Sequence, residues 1–461
     1  MLRMNKFVPF MLIFFFISAI FTSTFSYASA SELVEDSWNT KTPMKYVREN
    51  FVTVVFDGKI YTIGGYEGSY VGTNEQYDPK TDKWTTLAPM PTPRMGVNAV
   101  VYQGKIYCIG GVVPYIGPGL ATKSGTDVVE VYDPVNNKWS KKASLPIESS
   151  PAAYVINDQL FVIGNWGQQM YVYNPSDDRW NNKTALPVSI SSMTAIVIND
   201  KIFAIIKTGE NELWELFMYD SVMDSWTKKA TPFLHNTPFS HNLQTHPVSS
   251  FTFTVVDDKI IVCQTAYSYY WESVKLNINI YDPQLDKWSE GKTSPETYVY
   301  GYVFSDVTSG VYAPKKLYAF GYEQNDQILQ AFTWVYDPVN NVWSTAKTML
   351  TDSVMTTDPR TCKLVVVDDI FYMIRGYTFD NFNVQYIPIG YSSNDSSSKP
   401  IPSLNTTIVV VAIVLTVSLV ATGLFFYLKK KVYIKRWKMG RKISIKVCLD
   451  WRVRWLSVTY Y

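Results

Sequence analysis

One spacing constrains this chain more than any other feature. A Tyr is followed seven residues later by a Trp six times: "YDPKTDKW" (77–84), "YDPVNNKW" (132–139), "YNPSDDRW" (173–180), "YDSVMDSW" (219–226), "YDPQLDKW" (281–288) and "YDPVNNVW" (336–343). The unit recurs every 41 to 62 residues. Asp, Asn and Pro after the Tyr favour a tight turn, and Trp favours the strand that returns from it, so each copy reads as a β-hairpin.

A second hairpin precedes each copy. "VTVVFDGKIYTIGG" (52–65) places two apolar strands around Asp57-Gly58, a strong turn signal. Segments 98–111, 152–165, 194–207, 251–264 and 362–375 match it, and 302–322 is a stretched version. Each unit is therefore expected to be a four-stranded antiparallel sheet, a to d. A lone sheet leaves apolar faces in water; stacking such sheets about an axis buries them, which makes a propeller.

The last unit has strands a and b and then "NVQYIPIGY" (383–391), where Tyr386 and Pro388 mimic Tyr-Asp-Pro. Seven residues after Tyr386 stands Ser393, not Trp. The missing piece is near the front: "EDSWNTKTPM" (35–44) aligns with "TDKWTTLAPM" (81–90). Trp38 is thus expected to supply the outer strand of a split seventh blade, protecting an otherwise open edge. The alternative is a six-bladed ring with a stray N-terminal strand.

Gly64-Gly65 and Gly110-Gly111 end second strands, each followed by a Tyr–Trp hairpin. With the period, this resembles the kelch repeat over residues 36–391, and the resemblance implies an all-β, seven-bladed kelch propeller. The glycine pair decays elsewhere, to Gly164-Asn165, Ile206-Lys207, Cys263-Gln264, Gly321-Tyr322 and Arg375-Gly376.

The ends carry a different message. Residues 1–30 hold Arg3 and Lys6, an apolar run, and small residues Ala28 and Ala30, as in a secretory signal; an uncleaved anchor is the alternative. Residues 392–407 form a polar stalk. Residues 408–428 are apolar and uncharged, long enough for a transmembrane helix. The tail, 429–461, has eleven Lys/Arg against one Asp, and cationic flanks stay cytoplasmic. The whole resembles prokaryotic, including archaeal, surface kelch proteins: cell membrane, single-pass, propeller outside. In the tail, apolar Ile443, Ile445, Val447, Leu449, Trp451, Val453 and Trp455 alternate with polar residues, an amphipathic strand pattern that would meet anionic lipid; an unstructured orientation signal is the alternative.

Charge divides with topology. The total of +2 hides a tail of +10 and a leader of +2, leaving the segment between them at −10. Nucleic acid, which needs a basic footprint, is excluded as its ligand. Cys108, Cys263, Cys362 and Cys448 show no paired spacing, so neither a disulfide framework nor a zinc module is expected.

The repeating Tyr and Trp build blades and are not a site. Insertions concentrate in the b–c connections (112–127, 266–275, 323–330, 377–383) and in one d–a connection (232–250). These share a face of a propeller, and long loops on a rigid scaffold are where binding concentrates. Aromatic candidates there are Tyr66, Tyr70, Tyr115, Trp166, Trp214, Tyr267, Tyr269, Tyr270, Trp271, Tyr322, Tyr377 and Phe379, suited to a protein partner or to stacking on a surface glycan; packing against neighbouring loops is the plainer role. His235, His241 and His246 share the d–a insertion, at spacings that match no standard zinc motif, and are weak metal candidates. Asn182, Asn394 and Asn405 open glycosylation sequons.

The expectation is a surface binding module with no cofactor. A membrane-tethered carbohydrate-active enzyme, of the kelch epimerase or oxidase type, is the alternative, and a structural envelope module is a third. No Ser/His/Asp set or phosphate loop stands out.

Overall fold

The computed structural model describes residues 33–114, 123–164, 168–188, 190–208, 213–231, 250–265, 276–295, 299–325, 328–349, 361–376, 381–392, 444–448 and 455–459. The chain divides into two units, Met1–Ser393 and Asn394–Tyr461.

The first unit holds seven four-stranded antiparallel sheets. Blade 1 runs Val52–Phe56, Lys59–Ile63, Asn74–Asp78 and Lys83–Thr86, from inner strand a to outer strand d. Blades 2 to 6 repeat this order, with inner strands Asn98–Tyr102, Ala152–Ile156, Ile190–Ile198, Ser250–Val256 and Val299–Val307. Blade 7 takes Cys362–Val367, Ile370–Arg375 and Phe382–Ile387 from the C-terminal side. Its outer strand is Ser37–Lys41, with Trp38 opposite Tyr386. The split blade is therefore present, and the six-bladed alternative is overturned.

Seven apolar clusters fill the junctions, each shared by two consecutive blades. The last, with Phe51, Ile60 and Tyr77 against Ile370, Tyr372 and Ile374, joins blade 7 to blade 1. Burial of this kind is non-directional, so orientation has to come from polar contacts.

Those contacts repeat seven times. Each repeat Tyr donates its hydroxyl to an Asp or Asn in the turn, from Tyr77 to Asp82 (2.7 Å) round to Tyr336 and Asn341 (2.9 Å). That carboxylate or amide oxygen also accepts a backbone N–H from the preceding blade: Thr42 to Asp82 (2.9 Å), Ala88 to Asn137 (2.8 Å), Ala143 to Asp178 (3.0 Å), Thr184 to Asp224 (3.0 Å), Ala230 to Asp286 (2.9 Å), Lys292 to Asn341 (2.6 Å) and Lys347 to Asp36 (2.8 Å). The carbonyl of each donating residue accepts the indole N–H of the next blade's Trp, at 2.6–3.0 Å. One residue per junction is thus held at both its amide and its carbonyl. In blade 7, Asp36 and Trp38 do this from the N-terminus, and Tyr386 donates to Asp36 at 2.9 Å.

The turn acids all sit at positive φ, 48–53°, a conformation that Asp and Asn tolerate better than most residues. Burial pushes the repeat phenols up, Tyr132 and Tyr336 to about 12. Backbone donation from Ala143 holds the Asp178 carboxyl below its usual range. Burial alone would raise Asp224 and Asp286, but hydrogen bonds from Tyr219 and Thr184, and from Ala230 and Tyr281, outweigh it.

In the second unit the described residues form one antiparallel hairpin, Ser444–Cys448 with Trp455–Thr459. The single extended strand expected over 443–455 is corrected: a solitary strand leaves its backbone groups unpaired, and the hairpin pairs them. Among the described residues no helix is long and apolar enough to cross a membrane; residues 408–428 lie outside them.

Asp224→Ala should lower stability by about 1 kcal/mol, the loss of the hydrogen bonds from the part-buried Tyr219 hydroxyl and the exposed Thr184 N–H. Asp224→Asn should stay near the parent, since blades 2 and 6 already use Asn. Because the folded carboxyl is held low, its contribution is complete above about pH 4 and fades as pH falls through the folded value. Urea unfolding at pH 7 and pH 3 should therefore show a smaller acid loss for Asp224→Asn; equal losses in both proteins would refute the assignment. For the closure, Trp38→Ala should release the Ser37–Lys41 strand, read as faster hydrogen exchange at Phe382–Ile387; unchanged protection there would mean that the indole does not hold the strand.

Candidate functional site

The face built from b–c and d–a connections begins with two buried ion pairs. Arg48, in the link into blade 1, donates to Glu75 (2.5 Å), to the Gly64 carbonyl (2.9 Å) and to Thr62. Arg94, in the link into blade 2, repeats this with Glu130 and the carbonyls of Gly110 and Cys108. All four side chains are buried. Burial pulls the Arg48 pKa below its ordinary value, and Glu75 opposes it; the guanidinium stays charged because its free pKa exceeds 12. Glycine lets the links approach: a Cβ on Gly64, at φ +67°, would lie 2.6 Å from the Arg94 carbonyl oxygen.

On this frame the blade 1 b–c loop folds tightly. Tyr66 exchanges backbone hydrogen bonds with Glu49 (2.8 and 3.0 Å), and its ring meets Tyr70 edge-on at 5.6 Å. Both are half-buried, which leaves part of each ring available. Tyr46, at 37% exposure with Lys45 over its ring, lies in the adjacent d–a link. It was missed in the sequence because its link is short and carries no insertion. In blade 2 the b–c insertion forms its own hairpin, Val112–Pro114 with Lys123–Gly125.

Blade 6 corrects two expectations. The segment 323–330 is not a free loop: Leu317–Asn325 and Ile328–Asp337 pair along their whole length. Tyr322 is 3% exposed and packs in the blade 6–7 cluster with Phe320 and Met373, so it is a core residue and not a binding one. Trp214 is half-buried within Leu213–Asp220 and packs against the blade 4–5 cluster. Tyr115, Trp166, Tyr267, Tyr269, Tyr270, Trp271, Tyr377 and Phe379 lie outside the described residues, as do His235, His241, His246, Asn394 and Asn405. Asn182 is exposed on the outer strand of blade 3.

The opposite face holds a cavity of about 860 Å³, bounded by Val255, Asp257, Val307, Tyr312, Lys315 and Asp368. The stretched a–b connection of blade 6 makes its wall. Asp369 fixes that loop by accepting N–H bonds from Ser309, Val311 (3.1 Å), Tyr312 (2.7 Å) and Ala313 (3.0 Å). Burial would raise the Asp369 carboxyl, but these donors hold it below its usual range.

Chemistry is sparse. Among the described residues no three His, Cys, Asp or Glu gather as a metal-binding group. Cys108 and Cys263 are fully buried, and burial pushes both thiols up to about 12, which makes them poor nucleophiles.

The match to a family model agrees with this geometry. The Kelch motif matches residues 48–91 and 93–146. Kelch-like protein 30 from Homo sapiens is 38% identical over 208 residues, covering 42% of this chain and 34% of its own length. The chain thus spans about a third of that relative. The solved structure of YjhT aligns over 67% of this chain and 99% of its own at 14% identity, with a TM-score of 0.44. Residues 48–146 thus carry the Kelch motif, and the ring around them is a seven-bladed propeller.

The buried pairs make a test. Arg94→Met should cost about 3 kcal/mol, because buried Glu130 loses its cation and keeps only the N–H and hydroxyl of Thr92. Adding Glu130→Leu should recover most of it, as apolar residues stand at the matching positions of other blades (Phe217, Trp334). A double variant no more stable than Arg94→Met would refute this.

Proposed function

We propose that this protein is a membrane-anchored surface protein whose propeller binds a protein partner through the b–c and d–a face. The observation that carries the reading is where the chain begins and ends in the ring. Asp36 and Ile387 meet at the missing c–d turn of blade 7, and Ser392 then donates to the Tyr312 carbonyl at 2.8 Å, on the a–b side. A stalk at 392–407 leading to a span at 408–428 would attach at that side, leaving the b–c and d–a face unencumbered. That face offers Tyr46, Tyr66 and Tyr70 on a frame of buried ion pairs, together with the aromatic insertion 266–275. Partly exposed Tyr suits both protein hot spots and sugar stacking. The secretory leader and the basic tail at 429–461 support an outside propeller and a cytoplasmic, lipid-facing tail.

Full-length protein extracted in mild detergent should capture a defined partner from native envelope extract. Changing Tyr66 and Tyr70 to Ala, or Tyr267, Tyr269, Tyr270 and Trp271 to Ala, should weaken capture about tenfold, the scale of one hot-spot loss. Changing Lys80 and Ser176 to Ala, in c–d turns, should not. Equal capture by all variants would refute the face assignment. Loss of capture after deglycosylation of the extract would make the ligand a glycan instead.

A further inference from the structure

The c–d turns of three consecutive blades present aliphatic side chains to water. Val222 (83% exposed) and Met223 (73%) cap blade 4, Leu285 (66%) caps blade 5, and Val339 (78%) caps blade 6; Val311 (69%) stands on the neighbouring a–b loop. Blades 1 and 3 carry Lys80-Thr81 and Ser176-Asp177 at the same turn positions. Val135 in blade 2 is the isolated exception.

These tips are held in place. Asp220 Oδ1 accepts the N–H of Val222 (3.0 Å) and Met223 (3.2 Å), Asp282 that of Leu285 (3.1 Å), and Asp337 that of Val339 (3.0 Å). Asp369 accepts the Val311 N–H at 3.1 Å. The turn amides therefore demand nothing of water while the side chains point outward. The carboxylates are themselves countered, Asp220 by Lys201 (2.5 Å), Asp282 by Lys259 (3.4 Å) and Asp337 by Lys316 (3.7 Å). The carboxylates that hold the c–d tips are thus each met by a Lys, which limits the charge they would bring to a neutral headgroup layer.

We propose that this blade 4–6 sector rests on the surface of the bilayer that anchors the chain. The inference depends on the anchoring read above for 408–428. Blade 7, beside blade 6, is where the chain leaves the ring, and fifteen residues (393–407) separate that point from the apolar run. Even fully extended, that many residues reach no further than about 50 Å. Tethering at that distance makes even a weak contact effective, because the second binding event is intramolecular. Aliphatic side chains entering the interface gain what those left in water do not.

The test uses the full chain in phosphatidylcholine vesicles with Cys448→Ser, since Cys108, Cys263 and Cys362 are buried. A polarity-sensitive fluorophore is placed singly at Val222→Cys, Leu285→Cys, Val339→Cys and, on the opposite face, Ser69→Cys. The expected result is quenching by brominated phosphatidylcholine at the first three sites, at least twofold stronger than at residue 69, and weaker quenching by aqueous iodide. Equal iodide access at all four sites, in chain that resists alkaline extraction, would overturn the inference alone. Release of the chain by alkali would overturn the anchoring, and this inference with it. Shielding from iodide that grows with the number of chains per vesicle, without lipid quenching, would assign the sector to a second copy and overturn the bilayer as its occupant.

Discussion

The propeller depends on one backbone residue per junction whose amide and carbonyl are both claimed by the next blade. Apolar clusters hold blades together without fixing their mutual rotation. The Asp or Asn that accepts the N–H and the Trp that donates to the C=O do fix it, because hydrogen bonds are directional. The seven-residue interval follows from this. Hairpin register sets Tyr opposite Trp, as with Tyr77 and Trp84, whose rings lie 5.1 Å apart. The turn between them then brings the acid within reach of the phenol. Any insertion would remove one partner of the set, which is why the c–d turns keep constant length while other connections vary.

That constancy made the fold legible. A local pattern repeated six times specifies six hairpins, and the absence of Trp after Tyr386 specifies where the seventh is broken. Asp36 and Trp38 stand two residues apart, as Asp82 and Trp84 do, so the missing strand could be found 350 residues away. What escaped was non-local or non-periodic. Tyr322 reads as a loop aromatic because 323–330 looks in sequence like a b–c insertion, whereas the strands run on through it and bury the ring. The wall of the blade 6 cavity depends on Asp369, about 60 residues beyond the loop it orders, and no spacing rule links them. The tail's alternation was real, but period two does not say where a strand turns back on itself.

The same reasoning explains why the Kelch motif is matched only over 48–146. Blades 1 and 2 are the ones with the double glycine and the buried Arg–Glu pair. At the Glu75 and Glu130 positions, Tyr171, Phe217, Trp334 and Val384 stand in blades 3, 4, 6 and 7. A paired charge and an apolar side chain are interchangeable solutions for a buried site, provided neither charge is left alone. Blade 5 has a third, Asn279. The junction staple has no such substitute beyond Asp for Asn, so it persists in all seven blades while the motif drifts.

Closing the ring with a split blade has a consequence for the rest of the molecule. Both ends of the propeller must meet at the c–d turn that blade 7 lacks, so whatever precedes or follows is joined at one rim. The c–d turns at that rim are committed to the staple and cannot grow, so the one long connection described there is the a–b loop of blade 6. The b–c connections carry no staple and can. In blade 2 they hold an added hairpin, and in blade 6 they lengthen both strands. The constraint that orients the blades thus leaves the b–c connections freest to diversify, on the face opposite the one where the ring is closed.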